Sequence, residues 1–150
     1  MIDTYPNPWN FNNEDKKLTS EDNFFKVVYD ELNEIGMGAP IGEKCYLENF
    51  DKKKVKINDW CGGPPAWETE GKLVAIPIWK KKFFKGTVQQ ISVLDISKME
   101  LKIFSKTFRV IDIRSFHENK IYGYDSPLHK TKTISFDINK ESVDKVIKLI

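Results

Sequence analysis

The apolar positions of this chain come in short runs, and the runs recur. Asp22-Asn23-Phe24-Phe25-Lys26-Val27-Val28-Tyr29, Glu70-Gly71-Lys72-Leu73-Val74-Ala75-Ile76 and Glu118-Asn119-Lys120-Ile121-Tyr122-Gly123-Tyr124 each set an Asn or Gly turn before an apolar segment. The turn residues Asn23, Gly71 and Asn119 are spaced by 48 residues both times. A fixed period of this size marks a repeated supersecondary unit. Period-2 alternation over residues 90–96, 101–104 and 108–114 predicts antiparallel strands, the first two joined by a turn at Ser97-Lys98-Met99-Glu100. Residues 25–29, 44–48, 55–57, 73–79, 121–124 and 133–138 have the aromatic and β-branched content that strands favour. The tail, 145–150, reads as one more strand or a short amphipathic helix, the strand being favoured by analogy with the preceding hairpin. Pro77 is expected to close its strand at an edge or bulge, with Lys80-Lys81-Lys82 opening an exposed loop.

The runs are joined by punctuated segments. Residues 1–19 are polar and broken by Pro6 and Pro8, so they read as an irregular arm that Tyr5, Trp9 and Phe11 pin onto a β-rich body, 20–150, within a single domain. Gly36, Gly38, Pro40 and Gly42 exclude a helix between the first two strands, and residues 30–35 fit one helical turn or a polar edge strand equally well. Trp60-Cys61-Gly62-Gly63-Pro64-Pro65 reads as a tight corner joining two sheets. In each repeat a second strand ends in an acidic residue (Glu48, Asp95, Asp137), followed by a polar turn and a further apolar strand.

This order resembles the blades of β-propellers, which are four-stranded antiparallel sheets. The resemblance implies an all-β chain built of three blade-like antiparallel repeats in an open or compact array; a β-sandwich is the alternative. The Gly-His and Trp-Asp signature of WD40 blades is absent, so that family is not implied. Propellers close with ~4 to 8 blades. Three would leave edges that a compact three-sheet arrangement, the N-terminal arm or a second copy of the chain (a homodimer) must cover.

Composition narrows the function classes. The chain has 150 residues, 40% hydrophobic and 31% charged, which is the make-up of a globular domain rather than a disordered one. With 24 basic against 22 acidic residues the net charge is +2, which argues against a nucleic-acid partner. The N-terminal residues lack the basic and apolar regions of a signal peptide, and no apolar run reaches the ~20 residues of a membrane helix. These features predict a cytoplasmic protein without membrane contact, in which Cys45 and Cys61 are free thiols.

No motif announces a chemistry. Cys45, Cys61, His117 and His129 lack the close pairs of a structural zinc site, so no metal or other cofactor is expected. Cys61 beside Gly62-Gly63 has no evident base to make it a nucleophile. Asp125-Ser126-Pro127-Leu128-His129 holds a hydroxyl, an acid and an imidazole but no G-x-S-x-G elbow, and Asp112 with Asp125 would serve a glycosidase only at a suitable spacing across the fold. The aromatic and basic residues are more suggestive. Trp60, Trp67, Trp79, Phe83 and Phe84 are interleaved with Lys80, Lys81, Lys82 and Lys85, a pattern suited to an interface anchored by aromatic side chains, although Trp67 and Trp79 would serve a core equally well. Tyr122 and Tyr124 alternate with Gly123, which turns at least one ring toward solvent.

A small, motif-poor β chain of this kind is similar in general character to bacterial immunity proteins, which neutralise a cognate toxin by tight association. That resemblance implies a non-catalytic protein-binding role in which loops and strand edges occlude a toxin's active site. The residues expected to contact the partner are Trp60, Trp67, Trp79, Lys81, Phe83, Tyr122, Tyr124, Asp125 and His129. A carbohydrate- or small-ligand-binding module, or a small hydrolase, is the alternative.

Overall fold

A computed structural model describes residues 5–30, 40–82, 86–128 and 130–150. Among these the chain forms a short 3-10 turn, Lys16–Leu18, and strands β1 (Phe25–Tyr29), β2 (Glu43–Asn49), β3 (Lys54–Cys61), β4 (Ala66–Trp67), β5 (Leu73–Lys82), β6 (Gly86–Asp95), β7 (Glu100–Phe108), β8 (Ile111–His117), β9 (Lys120–Asp125), β10 (Lys132–Asp137) and β11 (Val143–Lys148). The fold is all-β and every strand pair is antiparallel. The strands gather into two sheets, one in the order β1-β2-β3-β5-β6-β7-β11 with β4 added beside β5, the other β10-β9-β8. Among the described residues they do not close into a ring.

The period seen in the sequence corresponds to three turns. Asn23 (φ 64°) and Gly71 (φ 79°) take the left-handed conformation that Asn and Gly tolerate best. In the third unit Glu118 (φ 56°), not Asn119, takes it. Each turn closes a hairpin: Thr19 bridges to Lys26, β4 pairs with β5, and β8 pairs with β9.

Burial explains why the middle strands are nearly continuous apolar runs. On β5, Val74, Ile76 and Ile78 join a core shared with Val27, Tyr29, Leu47, Ile57 and Leu18, whereas the intervening Ala75 joins a second core. That second core holds Ile91, Val93 and Phe104 against Ile111, Ile113, Phe116, Ile121, Ile134 and Phe136 of the small sheet. Strands β5 to β7 are therefore buried on both faces, with β1–β3 and the arm on one side and β8–β10 on the other. Of the three aromatic residues expected to pin the arm, Phe11 is buried and Tyr5 is half exposed (48%).

Four expectations need correction. Cys45 and Cys61 are not free thiols but a disulfide joining β2 to β3, with Cα atoms 6.1 Å apart. Pro77 does not end its strand, because β5 continues to Lys82 and pairs with β6 as far as Lys82↔Gly86. Pro77 is tolerated since its other side falls between the Ala66↔Ala75 pair and the single Cys61↔Ile78 pair, where β5 needs no further donor. Lys80, Lys81 and Lys82 accordingly lie on β5 rather than in a loop. The corner at residues 62–65 is buried, but it leads from β3 to β4 within the large sheet and does not join two sheets. Most of the loop through Gly36 and Gly38 lies outside the described residues.

Candidate functional site

The inner face of the small sheet is sealed in the second core, so its outer face is what it offers to solvent. Strand register sets that face out in rows: Asp112–Tyr124–Thr133, Ser115–Tyr122–Ser135 and His117–Lys120–Asp137. The middle row is neutral and hydroxylated, and charged groups stand in the rows at either end. Tyr122 is 42% exposed and Tyr124 40% exposed. Between them Gly123 lets β8 approach closely, since a Cβ there would lie 3.0 Å from Ile113 Cα and collide with the Asp112 carbonyl.

At the β8 side of this face the ladder breaks. A bulge between Ile113 and Ser115 leaves Arg114 as the extra residue. Arg114 Nη2 bonds Asp112 Oδ2 at 2.5 Å, and Asp112 is wholly buried. The Lys17 ammonium, delivered by the 3-10 turn of the arm, donates to the Ile113 carbonyl. Arg114 is thus the direct partner of the buried carboxylate, and the Lys17 ammonium lies within its field while bonding the neighbouring carbonyl. Burial lowers the Lys17 ammonium to about 8 against the pull of Asp112, with Arg114 adding to the depression. Burial also raises the Asp112 carboxyl, which Arg114 and then Lys17 oppose. Among the described residues, Asp112 Oδ1 and Arg114 Nε find no protein partner.

Beside this cluster lies an open cleft of about 420 Å³, walled by Trp67, Phe116, Lys17 and Arg114 and edged by Thr69 and Ser115. Trp67 Nε1 donates to the Leu18 carbonyl at 2.8 Å, which fixes the arm against β4. The Thr69 amide donates to the Phe116 carbonyl at 3.2 Å and closes the β8 edge. Thr69 Oγ1 also lies 3.0 Å from His117 Nδ1. The imidazole (64% exposed) and its Glu118 neighbour (78%) stand in water, which screens the pair. No three His, Cys, Asp or Glu side chains converge as a metal site among the described residues.

The expected contact residues divide. Tyr122 and Tyr124 share the outer face, and Trp67 lines the cleft next to Ser115, the cross-strand neighbour of Tyr122. Trp60 and Trp79 stack on each other instead, with centroids 5.8 Å apart, and Trp79 Nε1 donates to the Ile41 carbonyl at 3.1 Å. Lys81 is exposed on β5. The Asp125 carboxylate accepts the Arg109 and Val110 amides at 2.9 and 3.2 Å, so it joins two segments of its own chain. Phe83 and His129 lie outside the described residues. Asp112 and Asp125 do not act as a pair, each being held by different groups. Sequence reasoning missed Lys17 and Arg114. The alternation Ile111-Asp112-Ile113-Arg114 was the available signal for Arg114, whereas nothing local links either residue to Lys17. Comparison with family models, curated proteins and solved structures finds no match for this chain.

Proposed function

We propose that this protein works by binding a partner protein, without catalysis, across the outer face of β8–β10 and the adjoining cleft. The observation that carries the reading is the Tyr122–Tyr124 pair, exposed at the middle of a rigid sheet whose other face is core. Tyr and Arg are the residues most often found as binding hot spots, and rigid aromatic side chains among Ser and Thr form adaptable contact surfaces. Ser115, Thr133 and Ser135 surround the tyrosines, and Arg114 stands at the margin with one guanidinium nitrogen already fixed by Asp112. A toxin domain occluded in the manner of immunity proteins is the class of partner this reading favours. The three hairpins turning at Asn23, Gly71 and Glu118 support a chain of three blade-like units, the third of which presents the binding face. A cytoplasmic location is not carried into this reading, because disulfides such as Cys45–Cys61 persist in oxidising compartments.

The test compares the wild type with Tyr122→Ser/Tyr124→Ser, both immobilised and exposed to extract of the source cells. The captured protein is then purified and titrated against each. The expected result is a partner whose affinity falls about thirtyfold or more in the double variant, the loss expected of a hot spot. Equal affinity for both proteins would remove the face from consideration.

A further inference from the structure

The small sheet does not cover the whole of the large one. Where it ends, at Ile138, the face of β5–β7 that forms the second core is left open, and a pocket of about 130 Å³ remains. Strand register shows how it is built. One row runs Leu73–Asp95–Glu100–Lys148, and the next runs Ala75–Val93–Lys102–Val146. The floor is apolar, made by Leu73, Val93 and Phe104 with Ile138 as the facing wall. Phe104 is held edge-on against Phe136 at 5.1 Å, and the turn above the pocket is pinned by Ser97 Oγ and the Lys98 amide donating to Asp95 and by Lys148 Nζ donating to the Lys98 carbonyl. The rim carries both signs: Asp95 and Glu100 as carboxylates, Lys98 and Lys102 as ammonium groups.

An apolar hole of roughly 150 Å³ is enough to hold a benzene-sized group. Here such a hole opens beneath charges of both signs. We infer that this pocket binds an apolar α-amino acid group of about leucine size, its side chain on Leu73, Val93 and Phe104 and its charged backbone groups at the Glu100 and Lys102 rim. The group is a free amino acid, which carries both charges, or the terminal residue of a polypeptide, which carries one of them beside the same side chain. The inference is independent of the tyrosine face, which lies on the other sheet and points away from the second core.

Methyl-detected NMR of the full chain tests it, with L-leucine, L-leucinamide, N-acetyl-L-leucine and isoamyl alcohol as probes. The expected result is saturable shifts at the Leu73, Val93 and Ile138 methyls with at least one of the first three. Strongest binding of leucine identifies a free amino acid as the occupant. Strongest binding of the amide identifies a chain beginning, and of the acetyl derivative a chain end. Val93→Phe, which fills the hole, should abolish the shifts. Glu100→Gln/Lys102→Met changes only rim groups and should weaken binding at least tenfold with the fold intact, which keeps the test valid if Val93→Phe does not fold. Absence of saturation with all three leucine probes would overturn the inference. Equally tight binding of isoamyl alcohol would do so too, because it has no charge for the rim to recognise.

Discussion

Asp112 is completely buried, and Arg114 is its closest counter-charge. Removing one partner of such a pair leaves an uncompensated buried charge, which costs roughly 3 to 5 kcal/mol. Arg114→Met should therefore lower stability by about that amount in urea denaturation, and Asp112→Asn added to it should recover a good part. A loss below about 1 kcal/mol for Arg114→Met would mean that the carboxyl does not depend on the pair. Lys17 gives a pH signature of known sign. Its ammonium titrates at about 8 in the folded chain against an ordinary 10.5, so the folded protein sheds this proton first. Below about pH 8 the cost of burying the charge is fully present. From there to about 10.5 the unfolded chain binds more protons, and stability rises with pH. The stability of wild type minus that of Lys17→Met should accordingly shift in favour of wild type across this window. Burial also pushes the Tyr29 phenol far up, but that effect is common to both proteins and cancels in the difference. A flat difference would show that Lys17 is not held in a desolvated site.

At the scale of elements, most strands were legible because period-2 alternation and turn residues are local signals. The hairpin of β6 and β7 lies where alternation put it, and the tail strand expected over 145–150 runs from Val143 to Lys148. What alternation does not encode is the interruption of a ladder. The bulge that frees Arg114 and the continuation of β5 through Pro77 depend on which neighbour a strand lacks at that point. Gly123 is the element-level trace of the candidate site, because its missing side chain admits the Asp112 backbone. Gly123→Ala should cost about 1 to 3 kcal/mol, the usual penalty for overpacking, as read from the urea midpoint. The disulfide was equally illegible, since two cysteines 16 residues apart signal neither pairing nor freedom. A crosslink closing a loop of that length contributes about 3 kcal/mol. Dithiothreitol should lower the unfolding midpoint of wild type and leave that of Cys45→Ala/Cys61→Ala unchanged. A midpoint indifferent to reductant in the wild type would mean that the bond is not formed in solution. Strand β11 shows how an exposed edge is kept solitary: a bulge between Val143 and Lys145 and the exposed Lys145 and Lys148 all disfavour addition of another strand.

For the whole molecule, the spacing of 48 residues falls on three tight turns, while the strands around them gather into two antiparallel sheets. That outcome rests on contacts far apart in sequence, β3 with β5 and β7 with β11, which leave no local pattern. Its consequence is that strands β5–β7 serve two cores at once. On β7 alone, Leu101 and Ile103 belong to the first core and Phe104 to the second. Damage to either core must therefore be felt by strands the other core needs, and the chain should unfold as one cooperative unit. Phe136 tests this, since it is buried to 1%, lies in the small sheet and meets Phe104 edge-on. Phe136→Ala should cost about 3 to 5 kcal/mol. The tryptophans report mainly on the large sheet, for Trp60 and Trp79 stack on each other across β3 and β5 and Trp67 on β4 packs against the first core as well as lining the cleft. If the shared strands couple the two cores, the tryptophan fluorescence and far-UV circular dichroism transitions of Phe136→Ala will move together to lower urea. If the small sheet is an independent unit, the dichroism transition will split while the fluorescence midpoint stays at the wild-type value. The second outcome would also relocate the tyrosine face onto a separately folding element, with binding lost in urea before the tryptophans report any unfolding.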